Sequence, residues 1–297
     1  IADVSSQDLD AVIITHSAFG MIPVSFEFQD GLIRQEVKSY RDVLVKIGKE
    51  QGKRITRSRI EKQIERLEQR LTGRDRKSKD QVFTFEEMGV DFMFVDEAHL
   101  FRKLDFATKM SNVKGISPQG SSQSWDLYVK SRYLETVNPG HNLVLASGTP
   151  VTNTMAELFS VSRYLQNTEL RERGLAHFDA WAGAFGDTVT QLEQDPAGGY
   201  KAVTRFAKFV NVPELSAMVR QNMDVVTSRQ LEQYVTRPKL KGGKRIMNLA
   251  EKSEDLEDYQ MALAARMKAI AKRKDRPKPG DDIILSVIND GRHAALD

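Results

Sequence analysis

The chain has 297 residues, of which 40% are hydrophobic and 29% charged, and its 44 Lys and Arg against 41 Asp and Glu give a net charge of +3. This composition excludes a wholly disordered chain, and a charge of +3 does not single out nucleic acid as a partner. The absence of cysteine excludes disulfides, thiolate metal sites and thiol nucleophiles. Because no apolar run approaches the roughly 18 residues of a membrane span, we expect no membrane segment.

Three short, continuously apolar runs at residues 11–14, 92–95 and 143–146 are predicted to be strands. Continuous runs, unlike alternating ones, are typical of strands that are covered on both faces. Helical patterns at 125–137 and 155–165 lie between and after the runs, so the order of elements predicts a parallel α/β sheet with helices on both faces. Polar residues follow each run, at the sheet edge where ligands bind in such folds.

A basic stretch, residues 34–80, separates the first two predicted strands. It holds sixteen Lys and Arg against eight Asp and Glu, a net charge of +8 that leaves −5 for all other residues. A helical stripe runs through it, formed by Ile60, Ile64, Leu67 and Leu71. Ser58 and Glu61 have the spacing of a capping box, which predicts the start of this helix.

Two interpretations of the basic stretch stay open. It is either a solvated helical hairpin whose stripe rests on the sheet or on a partner helix, or a surface that neutralises nucleic-acid phosphates. The candidate DNA-binding residues are Arg57, Arg59, Arg66 and Arg70. A coiled-coil interaction platform is the least favoured interpretation, because the apolar stripe is narrow.

After residue 165 the sequence predicts a mainly helical region. Phe178, Trp181 and Phe185 recur at helical spacing and are predicted to pack one helix into a core, with base stacking as the alternative. Ser253 precedes a second convincing helix with acidic residues in its first turn, and we expect Ser253 to cap it.

The residues that carry chemistry follow the second and third runs. Asp96 and Glu97 come directly after residues 92–95, where one carboxylate can hold Mg²⁺ against nucleotide phosphates and a second can deprotonate the attacking water. Ser147 and Thr149 follow the next run and can hydrogen-bond the acidic loop from the same edge. The alternatives are an ordinary acidic turn and a simple strand-turn-helix connection, in which Thr152 or Asn153 caps the helix.

These motifs resemble a known family. Residues 95–99, Val-Asp-Glu-Ala-His, resemble motif II, the Walker B or DEAH box, of superfamily-two helicases. Residues 147–153, followed by Glu157 and Leu158, resemble motif III of the Swi/Snf-related DNA translocases, in which Gly-Thr-Pro-x-x-Asn precedes a Glu-Leu pair. Residues 10–17 resemble the motif Ib strand of that family. A closer similarity is to large phage- and plasmid-borne proteins that join such a helicase to an adenine-specific DNA methylase, although no Asn-Pro-Pro-Tyr-type methylase motif occurs here.

The resemblance implies an incomplete RecA-like first motor lobe of an ATP-dependent DNA helicase or translocase. By this resemblance Asp96 would coordinate the magnesium of Mg-ATP and Glu97 would be the catalytic residue that polarises the water. His99 would couple the nucleotide site to motif III through residues 147–149 (Ser147, Gly148 and Thr149). DNA, in double-stranded form, would be the partner, and the protein would be cytoplasmic and of prokaryotic, phage or plasmid origin.

Because the chain departs from the family pattern, we expect it to function only as part of a larger protein. No phosphate-binding Gly-x-x-x-x-Gly-Lys-Ser/Thr loop occurs, and the second motor lobe, which supplies an arginine finger in this family, is absent. No signal peptide is visible. Since the chain begins with Ile1 instead of Met, we expect a piece of a longer protein, with the missing phosphate-loop segment and second motor lobe as its partners. Alone, it is expected to neither hydrolyse ATP, nor bind it tightly, nor translocate.

The predicted organisation is a partial motor lobe at 1–33 and 81–170, a basic helical insertion at 34–80, a helical extension at 171–276 and the start of a connection to the second lobe at 277–297. Within the superfamily, the alternatives are the motor subunit of a restriction enzyme and an RNA helicase. From a different class, the alternative is a non-catalytic DNA-binding or scaffolding module that uses the basic insertion.

Overall fold

The computed structural model describes residues 9–47, 54–72, 83–110, 113–152, 154–194, 200–236, 238, 240–244, 247, 251–273, 275 and 277–294. Its α-helices are α1 (His16–Phe19), α2 (Phe26–Ile47), α3 (Arg54–Thr72), α4 (Ser122–Val137), α5 (Ala156–Leu165), α6 (Asn167–Glu172), α7 (Phe178–Phe185), α8 (Val212–Asn222), α9 (Ser228–Leu231), α10 (Glu254–Lys272) and α11 (Ile284–Ala294). Its strands are β1 (Met93–Val95), β2 (Leu143–Leu145), β3 (Gly186–Gln194) and β4 (Tyr200–Phe209). Short 3₁₀ turns lie at Glu86–Met88, Ala98–Phe101 and Lys241–Gly243.

Strands β1 and β2 form a parallel sheet, in which Met93 pairs with Leu143 and Val95 with Leu145. Helix α4 lies in the connection between the two strands, as parallel pairing requires. The predicted strands at 92–95 and 143–146 and the mixed α/β class are therefore confirmed.

The strand predicted at residues 11–14 is wrong. This run has no regular secondary structure, and the Ile13 side chain is 99% exposed. An apolar run becomes a strand only where a neighbour supplies hydrogen-bond partners, and the described residues place none beside it.

The prediction that both faces of the sheet are covered holds for one face only. Val95 is buried, whereas Phe94 is 78% exposed and its register partner Val144 is 40% exposed. Phe92 lies on the same open face, with its ring centroid 4.8 Å from that of Phe94. The described residues therefore leave an apolar surface, formed by Phe92, Phe94 and Val144, without a covering layer.

Helices α2 and α3 pack against each other and share a hydrophobic core with the buried face of the sheet. Ile60, Ile64 and Leu67 are buried in the same hydrophobic core as Val95, which confirms the helical stripe and the interpretation as a hairpin resting on its neighbours. The capping box predicted at Ser58 is wrong, because α3 already begins at Arg54 and Ser58 lies in its first turns.

A second core is built from aromatic rings. Phe178, Trp181 and Phe185 are at most 1% exposed, and the Phe178 ring stacks on Phe106 with a centroid distance of 4.3 Å. The core-packing prediction is confirmed, and complete burial leaves these rings unable to stack on bases.

The region after residue 165 is not purely helical, because β3 and β4 form a second two-stranded sheet. The β-branched run Thr188, Val189 and Thr190 favours a strand. The helical patterns on either side of it outweighed this signal in the prediction from sequence.

The chain divides into two compact units, residues 1–189 with 204–223, and residues 190–203 with 224–297. In the second unit α10 packs on α11, and Arg266 pairs with Asp282 at 2.7 Å and Asp290 at 2.8 Å. The Ser253 side chain accepts a hydrogen bond from the Leu256 amide at 3.2 Å, which confirms Ser253 as the N-cap of α10.

In the first unit, a single buried carboxylate joins four helices. Glu36 of α2 accepts hydrogen bonds from Tyr128 at 3.0 Å, Arg163 at 3.3 Å and Arg171 at 3.0 Å. Its side chain is 10% exposed and that of Arg163 is 6% exposed, so water screens this pair weakly. Burial raises the pKa of Tyr128, which stays a neutral hydrogen-bond donor.

Replacing Glu36 by Ala is expected to destabilise the chain by about 3–5 kcal/mol, because it leaves the Arg163 guanidinium buried without a counter-charge. Urea denaturation measures the effect. The matched control is Glu68→Ala, which removes the exposed ion pair with Arg41 between α2 and α3. This change should cost less than about 1 kcal/mol. Equal losses in the two variants would contradict a structural role for the buried carboxylate.

Candidate functional site

The two polar loops singled out in the sequence meet at one edge of the β1–β2 sheet. The Ala146 amide donates to the Val95 carbonyl at 2.8 Å, and the Ala98 amide donates to the Ala146 carbonyl at 2.9 Å. The parallel ladder therefore continues past both strand ends. This ladder brings the acidic turn at 96–97 beside the loop at 147–152, hereafter the motif III loop.

The acidic turn has an unusual backbone. Glu97 has φ +49° and ψ +39°, in the left-handed region that residues with a Cβ rarely adopt. Its amide donates to Asp96 Oδ1 at 2.8 Å, and both residues are exposed at the edge of the sheet. Strained residues of this kind cluster at functional sites, where surrounding structure holds them in place.

The two carboxylates fit the metal side of a Mg-ATP site. Mg²⁺ prefers oxygen ligands and keeps several waters, so one or two exposed carboxylates suffice alongside nucleotide phosphates. The described residues contain no cluster of three or more His, Cys, Asp or Glu that could hold a metal without such help. The sequence contains no Gly-x-x-x-x-Gly-Lys-Ser/Thr loop that would cradle the phosphates.

His99 lies in the 3₁₀ turn that follows the carboxylates. Its Nδ1 is 2.9 Å from the Glu97 carboxylate, a contact within the acidic turn itself. Its expected coupling to Ser147 and Thr149 stays a prediction. The Thr149 amide is held within its own loop by the Ser147 hydroxyl, at 3.1 Å.

Arg102 makes the side-chain connection between the loops, and sequence reasoning missed it. Its guanidinium donates to the Thr149 carbonyl at 2.7 Å and lies 3.6 Å from the Glu157 carboxylate. Glu157 also accepts from the Thr152 amide at 2.7 Å. The N-cap of α5 is Met155, so a cap at Thr152 is wrong, and Asn153, the other predicted cap, lies outside the described residues. The Glu-Leu pair of the motif was the signal that could have drawn attention to Glu157.

Comparison with known families decides the class. The family model described as "probable helicase domain" matches residues 1–227 of this chain. The chain belongs to this helicase-related family. Defense against restriction protein B of Escherichia phage P1 is 26% identical over 210 residues, which make up 70% of this chain and 9% of that protein. No solved structure matches the chain. Among the described residues, no helix is both long and apolar enough to cross a bilayer.

The four arginines predicted to contact DNA have different surroundings in this helicase-family chain. Arg70 pairs with the buried Asp105 at 3.2 Å, and its guanidinium lies over the Trp125 ring at 4.3 Å. Arg57 donates to the Leu44 carbonyl and Arg59 to the Lys109 carbonyl. Arg66 is exposed on α3. Three of the four therefore make intramolecular contacts, and their role in DNA binding stays a prediction.

A cleft of about 450 Å³ lies between α2, α4 and α6, away from the acidic turn. Arg132 and Arg171 line it together with Phe28 and Leu32, and no residue of the acidic turn or the motif III loop contributes to it. The carboxylates of the acidic turn therefore lie outside this cleft.

Because the backbone at Glu97 is left-handed, we expect Gly to be more stable than Ala at this position, the reverse of the order inside a helix. Glu97→Gly should be more stable than Glu97→Ala by about 1 kcal/mol, because both remove the carboxylate but only Gly adopts a left-handed backbone without cost. The control is the same pair of substitutions at Glu65, an exposed position inside α3, where Gly should be less stable than Ala by about 1 kcal/mol. Urea denaturation of the four variants measures both differences, and the same sign at both positions would contradict strain at Glu97.

Proposed function

We propose that this chain is the incomplete, RecA-like first motor lobe of an ATP-dependent DNA helicase or translocase of the Swi/Snf-related branch. The observation that carries the proposal is the parallel pairing of β1 with β2. It sets the DEAH carboxylates beside the motif III loop, at the sheet edge where α/β folds bind nucleotides. Membership of the helicase-related family supports the same assignment.

The proposed residue roles come from the resemblance to superfamily-two helicases. Asp96 would hold the magnesium of Mg-ATP, directly or through water, and Glu97 would orient the hydrolytic water and accept its proton. When bound, Mg²⁺ neutralises charge on the phosphates that are to be cleaved. The left-handed backbone at Glu97 fixes the direction in which its carboxylate leaves the strand end, and the contact with His99 restrains that carboxylate.

The remaining parts of the site come from a longer protein. The chain spans 9% of the length of its phage relative, and its sequence contains no phosphate-binding loop. Parallel sheets are covered on both faces, whereas Phe94 and Val144 here are exposed. We assign this open face to the segment that carries the phosphate loop, and the arginine finger to a second motor lobe.

Double-stranded DNA is the proposed substrate. The Gly-Thr-Pro-x-x-Asn element followed by Glu157 and Leu158 favours the Swi/Snf-related branch over RNA helicases and over the motors of restriction enzymes. The relative is named for defense against restriction, and it comes from a phage. Both points support a DNA motor that is phage- or plasmid-encoded and works in the cytoplasm of a prokaryote.

The competing function, a non-catalytic DNA-binding or scaffolding module, depends on the basic α2–α3 hairpin. The structure favours it less, because the hairpin's apolar stripe and its Glu36 carboxylate are part of the first core. Arg57, Arg59 and Arg70 also hold that hairpin in place, which leaves Arg66 as the exposed member of the proposed set.

The experiment that tests the proposed function is Glu97→Gln in the full-length protein that contains this chain. Loss of the general base should lower DNA-stimulated ATP hydrolysis by about 10²-fold or more, while binding of Mg-ATP is retained, because the amide keeps the shape of the side chain but accepts no proton. Steady-state hydrolysis and nucleotide binding are measured on the same preparations.

The matched control is Glu87→Gln, which changes an exposed carboxylate before β1 and should leave hydrolysis unchanged. Hydrolysis that survives Glu97→Gln, or robust DNA-stimulated hydrolysis by the 297-residue chain alone, would contradict the proposed function.

A further inference from the structure

One ion pair fastens the motif III loop on both of its sides. Arg102, which directly follows the 3₁₀ turn Ala98–Phe101, donates to the Thr149 carbonyl at 2.7 Å and lies 3.6 Å from Glu157 Oε2. Glu157, in the first turn of α5, accepts from the Thr152 amide at 2.7 Å. The loop is therefore attached to the acidic turn through Arg102 and to α5 through Glu157.

The surroundings of the pair make these contacts strong. The Arg102 side chain is 13% exposed and that of Glu157 is 9% exposed, so solvent screens their charges little. Removing Arg102 or Glu157 weakens the compensation of the other, largely buried charge. Nη1 of Arg102 makes both contacts, so one nitrogen lies near the Thr149 carbonyl and the Glu157 carboxylate together.

The backbone between the carboxylates and Arg102 is held firmly. Phe101 is 1% exposed, and its carbonyl accepts a hydrogen bond from the Tyr164 hydroxyl at 3.0 Å. Ala98 is also buried, and its amide joins the β1–β2 ladder. These buried contacts fix the position of Arg102 relative to the carboxylates of the acidic turn.

We propose that Arg102 and Glu157 are positioning residues that couple the nucleotide state at the acidic turn to the motif III loop. This inference rests on the proposed function. His99 contacts Glu97 within its own turn, whereas Arg102 reaches across to the neighbouring loop. Neither Arg102 nor Glu157 touches the reacting groups; they fix where Thr149 and its neighbours lie relative to the carboxylates.

The fastening is tested on the 297-residue chain by amide hydrogen exchange. Arg102→Gln should speed exchange of the Thr152 amide by about tenfold or more, because the motif III loop loses the hydrogen bond from Arg102 to the Thr149 carbonyl and opens locally. The amides of Ala98 and Ala146, which belong to the β1–β2 ladder, should exchange as before. The matched control is Lys103→Gln, which removes an exposed positive charge one residue further on and should change none of the three.

The coupling is tested in the full-length protein by the ratio of DNA-stimulated to unstimulated ATP hydrolysis. Arg102→Gln should lower this ratio by about tenfold, a typical size for coupling between two sites. Arg102→Lys should restore part of it, and Arg102→Gln combined with Glu157→Gln should be no worse than either single change. Lys103→Gln should leave the ratio unchanged.

The possible failures are distinguishable. Unchanged exchange at Thr152 in Arg102→Gln would overturn the fastening itself. A ratio unaffected by Arg102→Gln, in a protein whose hydrolysis is lost on Glu97→Gln, would overturn the coupling while the proposed function stands. Hydrolysis that survives Glu97→Gln would instead contradict the proposed function, and the coupling with it.

Discussion

The parallel pairing of β1 with β2 is the interaction on which the candidate site depends. The strands are three residues long, yet their ladder continues through Ala98 and Ala146, so backbone hydrogen bonds determine how the acidic turn and the motif III loop face each other. A slip of one residue would exchange the faces of the sheet, burying Phe94 and exposing Val95. The burial of Val95 in the first hydrophobic core therefore fixes the register of β1 and β2. That register in turn fixes the relative positions of the acidic turn and the motif III loop.

The open face of the same sheet supports the proposal that this chain is part of a larger motor lobe. Two parallel strands with one apolar face open to water are a marginal structure, since parallel sheets are normally covered on both sides. Here the α2–α3 hairpin and α4 stabilise one face, and the buried Glu36–Arg163 pair ties that hairpin to the helices after β2. The carboxylates are thus presented on a packed scaffold.

Sequence reasoning succeeded where local pattern and tertiary environment agree. The runs before Asp96 and Ser147 became strands because each supplies the other with hydrogen-bond partners. Residues 11–14 have the same apolar character, but no described strand lies beside them. Arg102 carries no motif of its own, and its importance appears only when the fold brings it to Thr149. Arg70 looked like a DNA contact because the sequence gives its charge but not its burial beside Asp105 and Trp125.

The most direct test of the claim that this chain is part of a larger motor lobe is hydroxyl-radical labelling of Phe94. The account predicts that Phe94, 78% exposed here, is labelled in the 297-residue chain and protected in the full-length protein, where the segment bearing the phosphate loop covers the sheet. Phe101, 1% exposed, should stay unlabelled in both and serves as the internal control. Equal labelling of Phe94 in the two proteins would contradict the account.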